Sequence, residues 1–400
     1  MLLSLAVILL VGLSAAAIFE KLGLPRIIGM LGAGIAISPY ALNLLDDSML
    51  GISAEIRQIA LIIILIKAGL SLDISDLKKV GRPALMMSFV PASFEIVGYV
   101  IFAPLLLDVS LIEAAVMGAV LSAVSPAVVV PRMVKLIEEQ QGTKKSIPQM
   151  ILAGASCDDI FVIVLFSTFV TMAQGGSAKA ADFLNIPISI MLGILLGALA
   201  GIVLYIIFEK SYQHKHKIRN TAKVIIILGT AFLLMSAETF AKPYIAVSGL
   251  LAVVAMSCTV KLRSEKKVTS RLSEKFGKLW IGAEILLFVL VGAAVDIRYT
   301  LSAGAPALLM IFTALAFRTL GVFTCLFGTK LNAKERIFCA VAYLPKATVQ
   351  AAIGSVPLAL GLPCGKTVLS VAVLAILITA PLGAIGIDRT SSILLEKEQT

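Results

Sequence analysis

Residues 148–173 read PQMILAGASCDDIFVIVLFSTFVTMA, an apolar stretch that contains two adjacent aspartates, Asp158 and Asp159. About 20 mostly apolar residues are enough for a helix to cross a bilayer. A charged side chain at that depth is costly, so an acidic residue inside a membrane span is a candidate for function by default. The stretch therefore predicts a transmembrane helix with two candidate functional acids near its centre.

The rest of the chain also has the composition of a membrane protein. Its 400 residues are 59% hydrophobic and only 14% charged, and its mean hydropathy is +1.01. Apolar stretches of suitable length predict an all-α polytopic membrane protein with about thirteen transmembrane helices. We expect these spans at residues 2–19, 24–39, 52–70, 83–107, 111–131, 148–172, 183–208, 222–240, 243–260, 277–297, 304–327, 336–359 and 366–387.

The net charge of +10 does not indicate nucleic-acid binding, because the basic residues follow the loops between the predicted spans. Alternate loops, such as 210–223 and 261–278, are rich in Lys and Arg. The loops of the opposite side hold only Lys179, Lys242, Arg298 and Lys366. By the positive-inside rule, the N-terminus lies outside and the C-terminus in the cytoplasm. We expect a multi-pass protein of the cell (inner) membrane, surrounded by lipid.

The two halves of the chain align weakly with each other. Glu95 aligns with Arg318, and at nearly the same offset Pro126 aligns with Pro345. Because the two halves enter the membrane from opposite sides, they predict inverted repeats with crossed, broken helices, an arrangement of secondary transporters. We expect the first repeat at 1–172, a connector at 173–221, the second repeat at 222–387 and a cytoplasmic tail at 388–400.

Prolines predict where two of the spans are interrupted. A proline inside a helix removes a backbone donor and disturbs the preceding turn. Irregular backbone persists at membrane depth only where it is buried in protein or lines a wet cavity, and its free carbonyl groups can bind a cation. Four residues mark the predicted breaks: Pro126 and Pro131 in span 111–131, and Pro345 and Thr348 in span 336–359.

Oxygen-rich side chains around the first break predict a site for a monovalent cation. Hard cations such as Na⁺ or Li⁺ prefer carboxylate, hydroxyl and carbonyl oxygens. Burial and a like-charged neighbour both favour the protonated form of an acid, so a proton can compete with the cation. The predicted cation and proton ligands are Asp159 and Asp158, together with Ser125 and Val124 of the disrupted stretch.

Three further charges fall within predicted spans and need partners. Lys346 follows the second break and is the expected counter-ion of an aspartate, Asp158 above all; a purely structural ion pair is the alternative. Glu95 and Arg318 occupy equivalent positions of the two repeats. Because arginine does not lose its proton in proteins, we expect these two to form a separate structural or coupling pair.

Other motifs do not point to catalysis or nucleotide binding. Segment 361–367, GLPCGKT, resembles a phosphate loop, but Leu360 replaces its first glycine. We therefore expect no enzyme, no nucleotide and no cofactor. Gly193, Gly197 and Gly201 form a small-residue face that predicts helix packing, either within the chain or across a dimer.

Four stretches together resemble the monovalent cation/proton antiporter superfamily, and within it the sodium/hydrogen antiporter branch of the NHA exchangers with paired aspartates. They are AGLSLD at 68–73, AVSPAVVVP at 123–131, ASCDDI at 155–160 and LPKATVQAAIG at 344–354. The resemblance implies a homodimer with a dimerisation domain and a core domain, whose relative movement alternates access to the site. It also implies that Asp159 carries the exchanged ion, with Asp158 assisting.

We therefore expect a secondary antiporter that exchanges Na⁺ or Li⁺ for H⁺. A K⁺/H⁺ antiporter and a sodium-coupled organic-anion symporter on a similar fold are the alternatives. More distant relatives carry a lysine in the helix that here bears Arg318, so the stoichiometry stays open at this point.

Overall fold

The computed structural model describes residues 1–71, 81–175, 180–213, 218–241, 247–296 and 304–397. Within these ranges the regular structure is helical, apart from one isolated β-bridge between Gln141 and Lys397. The last two residues of the stretch 68–73 lie outside the described residues, as do Lys179, Lys242 and Arg298.

The helices follow the order of the predicted spans, and three of these spans are divided: 83–107, 111–131 and 336–359. The helices are α1 (Leu2–Lys21), α2 (Arg26–Ile37), α3 (Asp47–Gly51), α4 (Ser53–Ser71), α5 (Arg82–Met87), α6 (Val90–Leu107), α7 (Leu111–Leu121), α8 (Pro126–Glu138), α9 (Ile147–Gln174), α10 (Ala180–Gln213), α11 (Asn220–Ala241), α12 (Gly249–Arg263), α13 (Lys266–Ala293), α14 (Gly304–Cys325), α15 (Ala333–Ala342), α16 (Thr348–Gly354), α17 (Val356–Ala359) and α18 (Gly365–Leu394).

Nine helices or consecutive helix pairs of the described chain are long and apolar enough to cross a membrane. The expected number of about thirteen spans is therefore not confirmed by length and composition. The physical reasons differ between elements. Helix α2 has 12 residues and α12 has 15, whereas α4 carries Glu55, Arg57 and Lys67 in a 19-residue helix.

The chain divides into two compact units. The first comprises Met1–Arg57, Asp73–Val162 and Ile285–Thr400, and the second comprises Gln58–Leu72 and Ile163–Glu284. All the predicted cation, proton and ion-pair residues belong to the first unit. These two units are defined by contacts between residues, and their limits differ from those of the predicted repeats. The repeats therefore stay a prediction.

In the second unit, the glycine face of α10 packs against α12. A Cβ atom at Gly193 would lie 2.7 Å from the Ser248 carbonyl oxygen, and one at Gly197 would overlap the Ala252 carbonyl oxygen. Only a residue without a side chain allows this approach. The glycines therefore serve packing within the chain, which was one of the two expected uses.

In the first unit, α18 extends to Leu394, beyond the predicted end at residue 387. Its last turns are held by α8 and by the segment that follows α8. The Arg132 guanidinium donates to both carboxylate oxygens of Asp388, at 3.0 and 3.1 Å, and the Gln141 side chain donates to the Ser391 carbonyl at 2.7 Å. The predicted tail at 388–400 thus begins as helix, because these contacts satisfy groups at the helix end.

Candidate functional site

The site is built where two interrupted helices meet. Helix α7 ends at Leu121 and α8 begins at Pro126, while α15 ends at Ala342 and α16 begins at Thr348. The Ser125 N–H donates to the Pro345 carbonyl at 2.8 Å, which joins the two breaks directly. Pro126 cannot donate to Ser122 but fits the first position of a new helix. The interruptions expected at Pro126 and Pro345 are therefore present, and they contact each other.

Pro131 does not break its helix, so this expectation was wrong. Helix α8 continues through Pro131 to Glu138. A single proline removes only one helical hydrogen bond, here the one to the Ala127 carbonyl, so the helix can continue on either side of it.

Side chains occupy most of the backbone groups that the first break sets free. Arg318 Nη1 donates to the Ser122 carbonyl, and Gln350 Nε2 donates to the Ala123 carbonyl at 2.8 Å. The Val124 N–H donates to Asp158 Oδ2 at 2.7 Å. Among the hydrogen bonds of the described residues, the Val124 carbonyl has no donor. This carbonyl is the backbone oxygen of the break that remains available for a cation.

A buried cluster of ionised side chains lies beside the breaks. Arg318 Nη1 contacts Glu95 Oε2 at 2.8 Å, and Arg318 Nη2 contacts Asp158 Oδ2 at 3.2 Å. Lys346 Nζ contacts the same Glu95 oxygen at 2.6 Å. These four residues are all at most 1% exposed. The expected Glu95–Arg318 pair is thus present, but as part of a larger network that also holds Asp158.

The expected partner of Lys346 was wrong, because its ammonium group contacts Glu95 and not Asp158. The planar guanidinium of Arg318 presents several donors in a fork, so it reaches Glu95 and Asp158 together. The ammonium group of a lysine is one compact charge. That of Lys346 contacts only Glu95 among the acids of this cluster. The aspartate therefore has Arg318 as its counter-ion.

Arg318 also fixes the second break. Its Nε donates to the Tyr343 carbonyl at 2.5 Å, and its guanidinium carbon lies 5.4 Å from the centroid of the Tyr343 ring. The Lys346 N–H donates to Thr379 Oγ1 of α18 at 2.9 Å. Thr348, the first residue of α16, is 3% exposed. One arginine on α14 thus contacts backbone carbonyls of both breaks.

Three buried oxygens of the predicted ligand set have no hydrogen-bond partner within the described part of the chain. They are Asp158 Oδ1, Asp159 Oδ1 and Ser125 Oγ. Buried polar atoms are almost always hydrogen-bonded, so each exception needs an explanation. Asp159 follows Asp158, and Asp158 accepts a hydrogen bond from Val124, the residue before Ser125. The free oxygens therefore lie on neighbours in sequence or on residues linked by the Val124–Asp158 hydrogen bond. Carboxylate and hydroxyl oxygens of this kind suit a hard monovalent cation.

Two residues of this site were not predicted from the sequence. Gln350 contacts both breaks, and Thr379 supports the second from α18. The signal for Gln350 was its position, since a glutamine at the third residue of a helix often reaches back to cap the first turn. Nothing in the sequence around Thr379 distinguishes it from other span threonines.

Comparison with known proteins identifies the family of the chain. The family model described as "Sodium/hydrogen exchanger, transmembrane" matches residues 5–391. The mouse sodium/hydrogen exchanger 9B2 is 33% identical over 391 residues, covering 94% of this chain and 69% of the mouse protein. The human sodium/hydrogen exchanger 9B2 is 33% identical over 390 residues, covering 94% of this chain and 70% of the human protein.

A solved structure shows the same fold. The sodium proton antiporter MjNhaP1 from Methanocaldococcus jannaschii matches with a TM-score of 0.82 and 22% identity, covering 98% of this chain and 97% of that protein. The all-α antiporter fold expected from the sequence is therefore confirmed. By its match over almost its full length, the chain is an integral, multi-pass membrane protein that belongs to the sodium/hydrogen exchanger family.

Proposed function

We propose that the chain exchanges Na⁺ or Li⁺ for H⁺ at one buried site by alternating access, as a homodimer in the cell membrane. The observation that carries the proposal is the set of buried, unpartnered oxygens of Asp158, Asp159 and Ser125. Membership of the sodium/hydrogen exchanger family supports the choice of ions. Two compact units within one chain supply the separate bodies that alternating access requires.

The contacts divide the work between the two aspartates. Asp158 Oδ2 is held by the Val124 N–H and by Arg318, which leaves only Oδ1 for an ion. Asp159 Oδ1 accepts no hydrogen bond from any residue that the structure describes. Asp159 is therefore the better carrier of a cation or a proton, whereas Asp158 assists from a fixed position.

Competition between the two ions follows from the shared oxygens. A cation bound by Asp159, Ser125 Oγ and the Val124 carbonyl occupies the carboxylate that a proton would otherwise take. A proton on Asp159 removes the charge that holds the cation. One site thus carries either ion, and each displaces the other, which is what antiport needs.

The test is ion-driven proton flux in proteoliposomes that contain a trapped pH-sensitive dye. Addition of NaCl or LiCl outside wild-type vesicles should alkalinise the lumen, because inward movement of the cation drives protons out, and Asp159→Asn should abolish the signal. Asp47→Asn, at an exposed aspartate of α3, is the matched control and should retain flux.

A full response in Asp159→Asn would exclude this site. A response to KCl equal to that to NaCl would indicate the alternative K⁺/H⁺ antiporter. Sodium-driven uptake of a labelled organic anion without proton flux would instead indicate a symporter.

A further inference from the structure

Gln350 connects the two breaks through a single buried amide. Its Oε1 accepts from the Ala347 N–H at 2.8 Å, and its Nε2 donates to the Ala123 carbonyl at 2.8 Å. The side chain is fully buried. An N–H can only donate and a carbonyl can only accept, so the partners themselves fix the orientation of the amide.

The first of these contacts is ordinary helix capping. Gln350 is the third residue of α16, and its side chain reaches back to the N–H of the residue before that helix. Either glutamine or glutamate can make this contact, since only an acceptor is required. Capping of α16 therefore does not explain why an amide occupies the position.

The second contact decides which oxygens of the first break are available. Arg318 occupies the Ser122 carbonyl, and Gln350 occupies the Ala123 carbonyl. The Val124 carbonyl and the hydroxyl of the next residue, Ser125, are then left without a hydrogen-bond partner among the described residues. Only a donor can occupy the Ala123 carbonyl, so a carboxylate at position 350 would lose this contact.

We propose that Gln350 is a positioning residue of the exchange reaction, which withholds the Ala123 carbonyl from the cation and fixes the Val124 carbonyl and Ser125 hydroxyl as its ligands from the break. This inference rests on the proposed function, because it assigns the cation to these oxygens. Gln350 itself contacts neither the cation nor the proton. It acts through the backbone geometry of both interrupted helices.

Two substitutions separate positioning from capping. Gln350→Glu keeps the acceptor for Ala347 but loses the donor for Ala123, whereas Gln350→Met removes both with little change in side-chain volume. Gln58→Met, at an exposed position of α4, is the matched control for the change of glutamine to methionine.

The readouts are the KM for Na⁺ and the maximal rate in dye-loaded proteoliposomes, together with the shift of melting temperature that NaCl produces in purified protein. We expect Gln350→Glu to melt below wild type without sodium, because it buries an unpaired carboxyl group that faces the Ala123 carbonyl, even though α16 stays capped. Its KM for Na⁺ should rise about tenfold, the ratio that corresponds to ~1.4 kcal/mol of lost binding, with a maximal rate within about twofold of wild type. Gln350→Met should show the same rise in KM and a lower melting temperature.

A KM for Na⁺ in Gln350→Glu equal to or below that of wild type would overturn the proposal, because capping alone would then account for the residue. The failure of the proposed function looks different. Wild-type vesicles would then show no sodium-driven proton flux, and the sodium-dependent melting shift would still report whether Gln350 sets cation binding.

Discussion

At the scale of single residues, the two adjacent aspartates differ because only one faces fixed donors. Residues next to each other on a helix are about 100° apart, so Asp158 meets Arg318 while Asp159 does not share that contact. The Val124 N–H adds a second donor to Asp158. Of the two adjacent aspartates, Asp158 is therefore held by fixed donors, and Asp159 is available for an ion.

Glu95 stabilises the cluster more than any other acid in it, because it contacts both Arg318 and Lys346. We expect Glu95→Gln to leave two buried cations with Asp158 as their remaining carboxylate, and to destabilise the protein by about 3–5 kcal/mol. Thermal unfolding of purified protein in detergent measures the loss. Glu20→Gln, at an exposed ion pair, should leave the melting temperature unchanged. Equal stability of the two variants would contradict the central place of Glu95.

The Glu95–Arg318 ion pair could be predicted from the sequence, but the acidic partner of Lys346 could not. Equivalent positions of two repeats suggested the first pair without any knowledge of side-chain direction. The Lys346 contact depends on which oxygen of Glu95 remains within reach after Arg318 has bound, and this is set by three helices at once. Gln350 was missed for the same reason, since its second partner, Ala123, lies in the break after α7, far away in sequence.

At the scale of elements, α18 supports the second break by close contact. A Cβ atom at Gly383 would overlap the ring of Pro345, so a glycine is needed where the proline meets the helix. The Thr379 hydroxyl, one turn earlier, accepts from the Lys346 N–H. The irregular segment between α15 and α16 therefore packs against α18 and is also hydrogen-bonded to it.

Gly383→Ala should displace Pro345 and weaken the crossing of the two breaks. Overpacking of a tight contact typically costs about 1–3 kcal/mol, whereas the same change at an open helical position stabilises by ~0.5–1 kcal/mol. Gly32 of α2 is such a position, with no neighbour within 4 Å of the added atom. We expect a lower melting temperature and slower exchange for Gly383→Ala, and neither loss for Gly32→Ala. Wild-type behaviour of Gly383→Ala would show that the ring can move aside without consequence.

The positions of the breaks were predictable, but their extent was not. Pro126 and Pro345 each deprive a helix of a donor at a point where no side chain replaces it along the same helix. Pro131 has the same chemistry, yet α8 continues through it with the loss of a single hydrogen bond, the one to the Ala127 carbonyl. At the first break, Arg318 and Gln350 donate to backbone carbonyls that the interruption leaves free. Whether a proline breaks a helix or only disturbs it therefore depends on tertiary contacts, which the sequence does not give.

At the scale of the whole molecule, hydropathy was enough to identify a polytopic membrane protein. It was not enough to fix the number of membrane spans. Arg57 of α4 shows why, since it is 6% exposed and donates to the Leu290 carbonyl of α13 at 3.3 Å. A helix that satisfies its charges within the protein does not need an apolar sequence. The span expected at 52–70 is present as α4, although its charges keep it out of the nine that are apolar enough by composition.

The charge of the whole cluster predicts the stoichiometry of exchange. Glu95, Asp158 and Asp159 carry three negative charges in their ionised forms, and Arg318 and Lys346 carry two positive charges, so one monovalent cation or one proton restores neutrality. We expect one Na⁺ to exchange for one H⁺ without net charge movement. Sodium-driven proton flux should then be the same with the membrane potential clamped at zero by valinomycin and potassium as at an imposed negative potential. A flux that changes steeply with the imposed potential would mean that a second proton moves, and Lys346 would be the first group to examine for it, because arginine does not release its proton.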